Sequence, residues 1–473
     1  MSIKRIACGA TLALFFMLQT SSLSFAHGGM EDMDSAEGEH AVTVDGRIVE
    51  GSAMISSDLV EVMLPLRSVG EMLGAEVRWD QAHQAALINS NFYPDTQKDT
   101  DMSMHSHAMN NMNALQASGH SMSHLGLVLN GAIYQPDLEP VMMNGIVFVS
   151  ADTVEHAFDV KVKWNTDVNQ VQVISKATEQ FQKEQKQVED VFHGIGLTPH
   201  IASDGTKEFK LTAELGPWSP VQGVVTTAWM YNGQAPGPVL RVTEGDHVRI
   251  TLDNKLPEPT AIHWHGLHLP NEMDGIPGVT QDPVKPGESF TYEFTASHAG
   301  TFMYHTHYDD MKQLGNGLYG MLIIDPKPSA NEIKYDHEYT MMLSGFHVNT
   351  SDEDDQDYYT INGRSYPFTP DMEVKKGETI RIRLANIDTM EVHTMHLHGI
   401  DFQVIAKDGH PVEKPQSMNT ILIGPGETYD IALTADAVGT WMFHCHIMDH
   451  TMNAGQMIHG QMGGLITLLK VTE

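Results

Sequence analysis

The amino-acid sequence predicts a mainly β protein, in which two tandem Greek-key β-sandwiches are preceded by a small α+β repeat domain. Two separate internal repeats carry this prediction, and each contains strands that alternate apolar and polar residues between Gly/Pro turns. The chain has 473 residues, enough for about three domains of ~150 residues each.

The N-terminus has the pattern of a secretion signal. An apolar run from Ala10 to Leu18 follows two basic residues, and such a run is too short to span a bilayer. The small residues Ser24 and Ala26 would allow a cleavage that removes residues 1–26. A membrane anchor is the alternative. We therefore expect a secreted protein, extracellular or at the cell surface, with no transmembrane segment in the mature chain.

Charge and cysteine content limit the partners and the covalent framework. The formal net charge is −33, which repels phosphate, so nucleic acid is not an expected partner. Cys8 lies within the predicted signal, so the mature chain keeps only Cys445. A single cysteine cannot form an internal disulfide, and its thiol is therefore buried, intermolecular or chemically active.

The first repeat lies within residues 41–175. The segment 42–46 (VTVDG) recurs at 127–131 (LVLNG), and Trp79 and Trp164 close two further matching segments at the same offset. Each copy is expected to contain two strands around a Gly turn, a short helix and an alternating strand. The region resembles the copper amine oxidase N-terminal-like stalk domain. That resemblance implies an accessory fold and does not imply amine oxidation.

An insertion at residues 92–125 separates the two copies and is rich in Met and His without a strong apolar period. Thioethers suit Cu(I) and imidazoles suit copper and zinc, so copper capture or delivery is one hypothesis. A polar low-complexity insertion without a function is the other.

The second repeat predicts the two sandwiches, at residues 205–330 and 331–473, after a helical linker at 176–204. The segment 242–254 (VTEGDHVRITLDN) matches 374–386 (VKKGETIRIRLAN), and both alternate with a period of two. Pro-Gly-Glu turns recur at matching places as well. Two copies of an all-β unit are typical of two β-sandwiches.

Four His-X-His elements lie in this region, two in each predicted sandwich. Residues i and i+2 of a strand point to the same face, so each element presents two imidazoles side by side. Eight converging imidazoles are what a multinuclear metal cluster needs, whereas satisfied core histidines would explain one pair but not four. The elements contain His263 and His265, His305 and His307, His396 and His398, and His444 and His446.

A further metal site is predicted around Cys445, which lies inside the fourth element. His450 follows Cys445 by five residues, and His393 precedes His396 of the third element by three residues. Two imidazoles, one thiolate and a distant Met form a blue-copper electron-transfer site. Met462 is best placed as that Met because the Gly-Gly-Leu-Ile that follows resembles a closing strand. Met457 is the competitor.

The motifs HWHG, HTH, HTMHLHG and HCHIMDH resemble the copper motifs of multicopper oxidases, and the resemblance covers about residues 205–473. It implies cupredoxin-like sandwiches and four coppers per functional unit: one type 1, one type 2 and two type 3. It also implies that electrons from phenols, aryl amines or metal ions such as Cu(I) reduce dioxygen to water. A secreted copper-binding or copper-tolerance protein without turnover is the alternative.

The resemblance implies a role for each ligand. The type 2 copper would be held by His263 and His396. One type 3 copper would be held by His265, His305 and His446. The other type 3 copper would be held by His307, His398 and His444. The type 1 copper would be held by His393, Cys445, His450 and Met462.

The presence of only two sandwiches resembles the two-domain, or small, laccases. In that family the three-copper cluster lies between the first sandwich of one chain and the second of its neighbour, which implies a homotrimer. Asp274 matches a carboxylate that the family uses to supply protons, although it is also a turn residue before Gly275. Met448 beside the type 1 motif and the acidic run Asp352–Asp355 favour a metal cation as donor.

Overall fold

The computed structural model describes residues 40–55, 62–90, 125–166, 168–329, 333–346, 358–455 and 462–473. The chain divides into two compact units, Met1–Val173 and Ile174–Glu473. The predicted secretion signal, the Met/His-rich insertion up to residue 124, the acidic run and Met457 lie outside the described residues. Within the described part of the chain, no helix has the length and apolar character needed to cross a membrane.

The first unit is an α+β structure with two sheets. One sheet has the strand order β10-β11-β1-β2-β3-β9-β8 and the other has the order β4-β5-β6-β7. In both copies of the repeat a short helix follows one strand and precedes an alternating strand. The helices are α1 (Leu66–Met72) and α2 (Ala151–Phe158). The strands are β1 (His40–Val44), β2 (Arg47–Ile55), β3 (Val62–Pro65), β4 (Glu76–Asp80), β5 (Ala85–Asn89), β6 (Gly126–Leu129), β7 (Ala132–Tyr134), β8 (Val141–Met143), β9 (Ile146–Ser150), β10 (Val160–Asn165) and β11 (Gln170–Ser175).

The second unit begins with helix α3 (Lys176–Phe192), in the segment predicted to be a helical linker. The Ser175 hydroxyl caps the helix by accepting a hydrogen bond from the Thr178 N–H. Apolar residues spaced along one face bury the helix, and Phe192 belongs to the core of the second sandwich. Glu184 pairs with Arg364, and both side chains are fully buried. The segment is thus a packed part of the second unit.

The first sandwich follows the helix. One sheet has the order β12-β13-β16-β18 with β14 paired to β13, and the other has the order β15-β20-β19-β17. Its short helices are a 3-10 turn at Asn271–Met273 and α4 at Asp310–Gln313. The strands are β12 (His200–Ile201), β13 (Lys207–Trp218), β14 (Thr226–Tyr231), β15 (Leu240–Thr243), β16 (His247–Asn254), β17 (His263–His265), β18 (Ser289–Thr295), β19 (Gly300–His305) and β20 (Tyr319–Asp325).

The second sandwich repeats this topology. Its sheets have the orders β22-β21-β24-β29-β26-β27 and β23-β31-β30-β25-β28. The repeated segments form the matching strands β16 and β24, whose alternate residues face the two cores, and the predicted mainly β class is confirmed. The strands are β21 (His337–Phe346), β22 (Tyr358–Ile361), β23 (Met372–Lys375), β24 (Thr379–Asn386), β25 (His393–Leu397), β26 (Phe402–Lys407), β27 (His410–Met418), β28 (Thr420–Ile423), β29 (Thr428–Thr434), β30 (Gly439–Cys445) and β31 (Ile466–Thr472).

Candidate metal centre

Four histidines of the first sandwich form one group of imidazole rings. Strands β17 and β19 pair so that His263 lies opposite His305. The centroid of the His263 ring lies 5.7 Å from that of His265, 5.3 Å from that of His305 and 5.7 Å from that of His307. His263, His265 and His305 offer ligand atoms that all lie within 4.8 Å of one another. The two His-X-His elements therefore converge, as the period of two predicts.

The second sandwich holds an equivalent group, built on β25 and β30. His396 lies opposite His444 in the strand register, and the Nε2 atoms of His398 and His444 are 3.1 Å apart. The centroid of the His396 ring lies 4.9 Å from that of His398 and 5.8 Å from that of His446. We name these sets the first and the second histidine quartet.

The two quartets are separate within one chain. Every close ring contact among these eight described side chains joins members of the same quartet. His307 has 41% of its side chain exposed, and His398 and His446 are also exposed. One chain thus supplies two open groups of four imidazoles, and it does not bring all eight together.

The third group consists of His393, Cys445 and His450, which are all buried with their ligand atoms within 4.8 Å of one another. The Nδ1 atoms of the two histidines are 3.1 Å apart, and Cys445 Sγ lies 3.5 Å from His450 Nδ1. The backbone N–H of Thr394 donates a hydrogen bond to the sulfur at 3.4 Å. Two imidazoles and one thiol therefore face a common point.

The segment that carries Met462 runs beside this group. The N–H of Gly463 donates to the carbonyl of Thr451, and the N–H of Leu465 donates to the carbonyl of His450. These bonds hold the half-buried Met462 next to the chain that carries the ligands. The competing Met457 lies outside the described residues.

Backbone carbonyls orient the rings of both quartets. A carbonyl can only accept a hydrogen bond, so the ring nitrogen facing it carries the proton and the opposite nitrogen keeps its lone pair. In four rings Nδ1 faces a carbonyl and Nε2 is left available for a metal. The pairs are His263 with Asp274 at 2.8 Å, His305 with Thr306 at 2.6 Å, His396 with Asn419 at 2.8 Å and His444 with Cys445 at 2.7 Å.

Burial favours the neutral form of the buried histidines in these groups. Loss of solvent lowers the pKa of His305 and of His393 to about 3, and it lowers the pKa of His444 and His450 as well. Burial also raises the pKa of the Cys445 thiol. Neutral imidazole is the form that binds metals, and a bound cation takes the place of the thiol proton.

Asp274 lies against the first quartet, on the outer side of one ring. Its carbonyl oxygen accepts the His263 Nδ1–H, and its carboxylate Oδ1 is 3.5 Å from the same nitrogen. Gly275 makes this approach possible, because its φ is +80° and a Cβ there would overlap the carbonyl of Ile262. The carboxylate is one-third exposed and can exchange protons with solvent.

Three side chains around His393 and His450 were not identified from the sequence. The buried Asp388 carboxylate lies 3.9 Å from His393 Nε2. The Tyr359 ring stacks on the His450 ring with centroids 4.0 Å apart, and Glu391 Oε2 lies 3.8 Å from His450 Nε2. Asp388 lies just beyond the repeated segment 374–386, and no motif in the sequence marks it.

Comparison with known proteins identifies the family to which the second unit is related. Two family models described as multicopper oxidase match residues 212–329 and 340–459. The chain is 33% identical over 292 residues to dihydrogeodin oxidase of Aspergillus terreus, which covers 53% of this chain and 46% of that protein. It is 29% identical over 290 residues to a copper resistance protein A homolog of Pseudomonas syringae pv. tomato, covering 49% and 48%.

A solved structure agrees with these relatives. The blue copper oxidase from Nitrosomonas europaea is 36% identical and superposes with a TM-score of 0.53, covering 56% of this chain and 86% of that one. The chain spans about half the length of the curated relatives it matches. The matched family models and this structural likeness show that the chain belongs to the multicopper oxidase family.

Proposed function

We propose that the protein oxidises a reducing substrate at a type 1 copper and couples this oxidation to the four-electron reduction of dioxygen to water at a trinuclear copper cluster. The observation that carries the proposal is the position of Cys445. Its thiol faces two buried imidazoles, while its chain neighbours His444 and His446 belong to the second quartet. Only a few covalent bonds therefore separate the two kinds of site.

The donor set fits copper. Imidazole and thiolate with a nearby thioether are ligands that copper prefers, and copper supplies one-electron redox chemistry when bound. The type 1 ligands proposed are His393, Cys445, His450 and Met462. The type 2 ligands proposed are His263 and His396. The type 3 ligands proposed are His265, His305 and His446 for one ion and His307, His398 and His444 for the other.

The residues of the chain then have distinct tasks. The backbone carbonyls hold protons at Nδ1 and direct Nε2 into each quartet. Burial of His393 and Cys445 excludes water from the type 1 site. Asp274, whose carboxylate lies 3.5 Å from His263 Nδ1, is assigned the task of relaying protons toward the quartet that this ring belongs to.

A Cys445→Ser substitution tests the proposal. The variant should lose the intense blue absorption and all oxidase activity, while it keeps about three coppers per functional unit in the quartets. Oxidase activity that survives in this variant would contradict the role of the thiol.

We further propose that three copies of the chain complete three clusters. The separation of the quartets within one chain and the exposure of His307, His398 and His446 support an arrangement in which the first quartet of one copy meets the second quartet of the next. Light scattering of the copper-loaded protein should give the mass of a trimer. A monomer with a full copper complement would contradict the proposal.

The electron donor belongs to one of two classes, phenols and aryl amines or metal ions such as Cu(I). The surface next to His450 Nε2 supports a metal ion, because it carries the Glu391 carboxylate and the exposed thioethers of Met390 and Met448. Deletion of residues 92–125 should lower the oxidation of Cu(I) and spare that of phenols. Equal losses on both donors would refute a delivery role for the insertion.

We also propose that the protein is secreted and that residues 41–175 form a stalk-like domain. The pattern of residues 1–26 and the internal repeat support them. N-terminal sequencing of the protein recovered from culture medium should begin at His27. An intact N-terminus on an exported protein would contradict cleavage.

A further inference from the structure

Three histidines outside the copper motifs lie together on the second unit. His268 follows β17, His298 precedes β19, and His410 begins β27, so the first two belong to the first sandwich and the third to the second sandwich. The centroid of the His298 ring lies 4.8 Å from that of His268 and 5.6 Å from that of His410. These distances are similar to those within the two quartets, which run from 4.9 to 6.3 Å.

Glycines allow the two sandwiches to approach closely at this point. A Cβ at Gly300 would lie 2.6 Å from the Cα of Gly409, and a Cβ at Gly409 would overlap the Phe302 ring. Gly409 also has a φ of +76°, which favours glycine. The absence of side chains at both positions places His410 against His298, whose ring also packs edge-on against Phe302.

The hydrogen bonds of Ser297 determine the proton position on His298. The Ser297 hydroxyl donates its single proton to the His268 carbonyl at 3.3 Å and lies 3.1 Å from His298 Nδ1. In this arrangement the hydroxyl oxygen accepts from Nδ1–H, in the tautomer of His298 that leaves a lone pair on Nε2. This Nε2 is buried and has no hydrogen-bond partner among the described residues, although an unpaired buried acceptor is costly.

We propose that His268, His298 and His410 form a site for a divalent transition-metal ion, Cu²⁺ or Zn²⁺, that joins the two sandwiches and uses none of the oxidase ligands. His298 Nε2 is the fixed donor, and His268 and His410 are exposed side chains that can rotate toward it. His268 and Ser297 line a surface cleft of about 690 Å³, so His268 can meet an ion from solvent.

The charge state of the His298 ring agrees with this site. Burial lowers the pKa of His298, and the neighbouring His268 and His410 lower it further, while Glu244 acts in the opposite direction. A neutral imidazole does not have to release a proton before it binds a metal. No carboxylate or thiolate is involved, so the site favours the borderline ions that imidazole binds.

Zinc binding to the full-length protein tests the proposal, with copper supplied at about four ions per chain so that only the oxidase sites are filled. Excess Zn²⁺ is added, free metal is removed by gel filtration, and zinc is counted by mass spectrometry for the wild type and for H298A and H410A. Any zinc bound by the 92–125 insertion should be the same in the wild type and in both variants. The wild type should therefore retain one more Zn²⁺ per chain than either variant. Zn²⁺ should also raise the Tm of the wild type and not that of H410A.

H247A is the matched control, because His247 is an exposed histidine of the first sandwich whose partner is Glu293. It should retain as much zinc as the wild type. Blue absorption and oxygen uptake should be unchanged in all three variants, which separates this site from the oxidase coppers. H410A removes only an exposed side chain at the first residue of β27, so it decides the outcome if H298A fails to fold. Equal zinc retention in the wild type and H410A would overturn the proposal, and the three rings would then be a packing contact.

Discussion

The separation of the two quartets predicts that two inactive variants regain oxidase activity when they assemble with each other. H307A removes a ligand from the first quartet, and H446A removes one from the second quartet. Both side chains are exposed in a single chain, so neither substitution should disturb folding. In a homotrimer whose clusters lie between chains, each variant alone has three damaged clusters and no oxidase activity.

The mixture should regain activity in a proportion set by the geometry. An intact cluster needs a first quartet from an H446A chain and a second quartet from an H307A chain. In random assembly from equal amounts each condition holds for half of the chains, so about a quarter of the clusters are intact. Their type 1 sites are unaltered, so each restored cluster can receive electrons.

The two variants carry different affinity tags, are co-expressed and are purified through both tags. The oxygen uptake of the purified protein is then measured. Purification through both tags removes the homotrimers, and each mixed trimer has one intact cluster, so activity per type 1 copper should approach about a third of the wild-type value. Co-expression of H263A with H307A is the control, because both variants damage the first quartet and no intact cluster can form. A mixture of H307A and H446A that is as inactive as its parents would refute a cluster shared between chains.

Further consequences concern protons, stability and the donor surface. Asp274→Asn should lower kcat about 100-fold with an unchanged copper content, because it removes the proton donor beside the first quartet; unchanged kcat would contradict that role. The pKa of His393 is about 3 in the folded protein against 6.5 unfolded, so the unfolded chain binds more protons between these values. The Tm of the copper-free protein should therefore fall as the pH decreases below 6.5, and calorimetry that shows a constant Tm would contradict this. Arg364→Ala leaves the buried Glu184 carboxylate unpaired and should cost about 3–5 kcal/mol in urea unfolding. Glu391→Gln should raise the KM for Cu(I) about fivefold, the effect of removing one charge ~4 Å away in water, and leave the KM for a phenol unchanged.

The parts of the site that follow from strand geometry could be predicted from the sequence. The period of two in β17 and β25 places His263 beside His265 and His396 beside His398, and the sandwich repeat gives each sandwich two such pairs. The group around Cys445 was predictable as well, because Cys445 and His450 lie next to the fourth His-X-His element and His393 lies three residues before the third. These predictions depend on local spacing, which the folded chain preserves.

The contacts that depend on distant parts of the chain could not be predicted. Tyr359 lies on another strand and stacks on His450, and no local sequence pattern predicts that contact. Glu184 in a polar helix resembled a solvent-exposed charge of a linker, whereas its partner Arg364 lies far along the sequence. The repeat also does not say whether two quartets of one chain meet, since that depends on how the sandwiches pack.

The central claim, that the chain is an oxidase with four coppers in each functional unit, is tested most directly by the stoichiometry of oxygen uptake. Copper-loaded protein would be supplied with a phenol or with Cu(I) as alternative donors, and consumed oxygen and accumulated hydrogen peroxide would be followed together. We expect four electrons per dioxygen and no accumulated peroxide with at least one donor. Full copper loading without uptake, or two electrons per dioxygen with peroxide as product, would contradict the account.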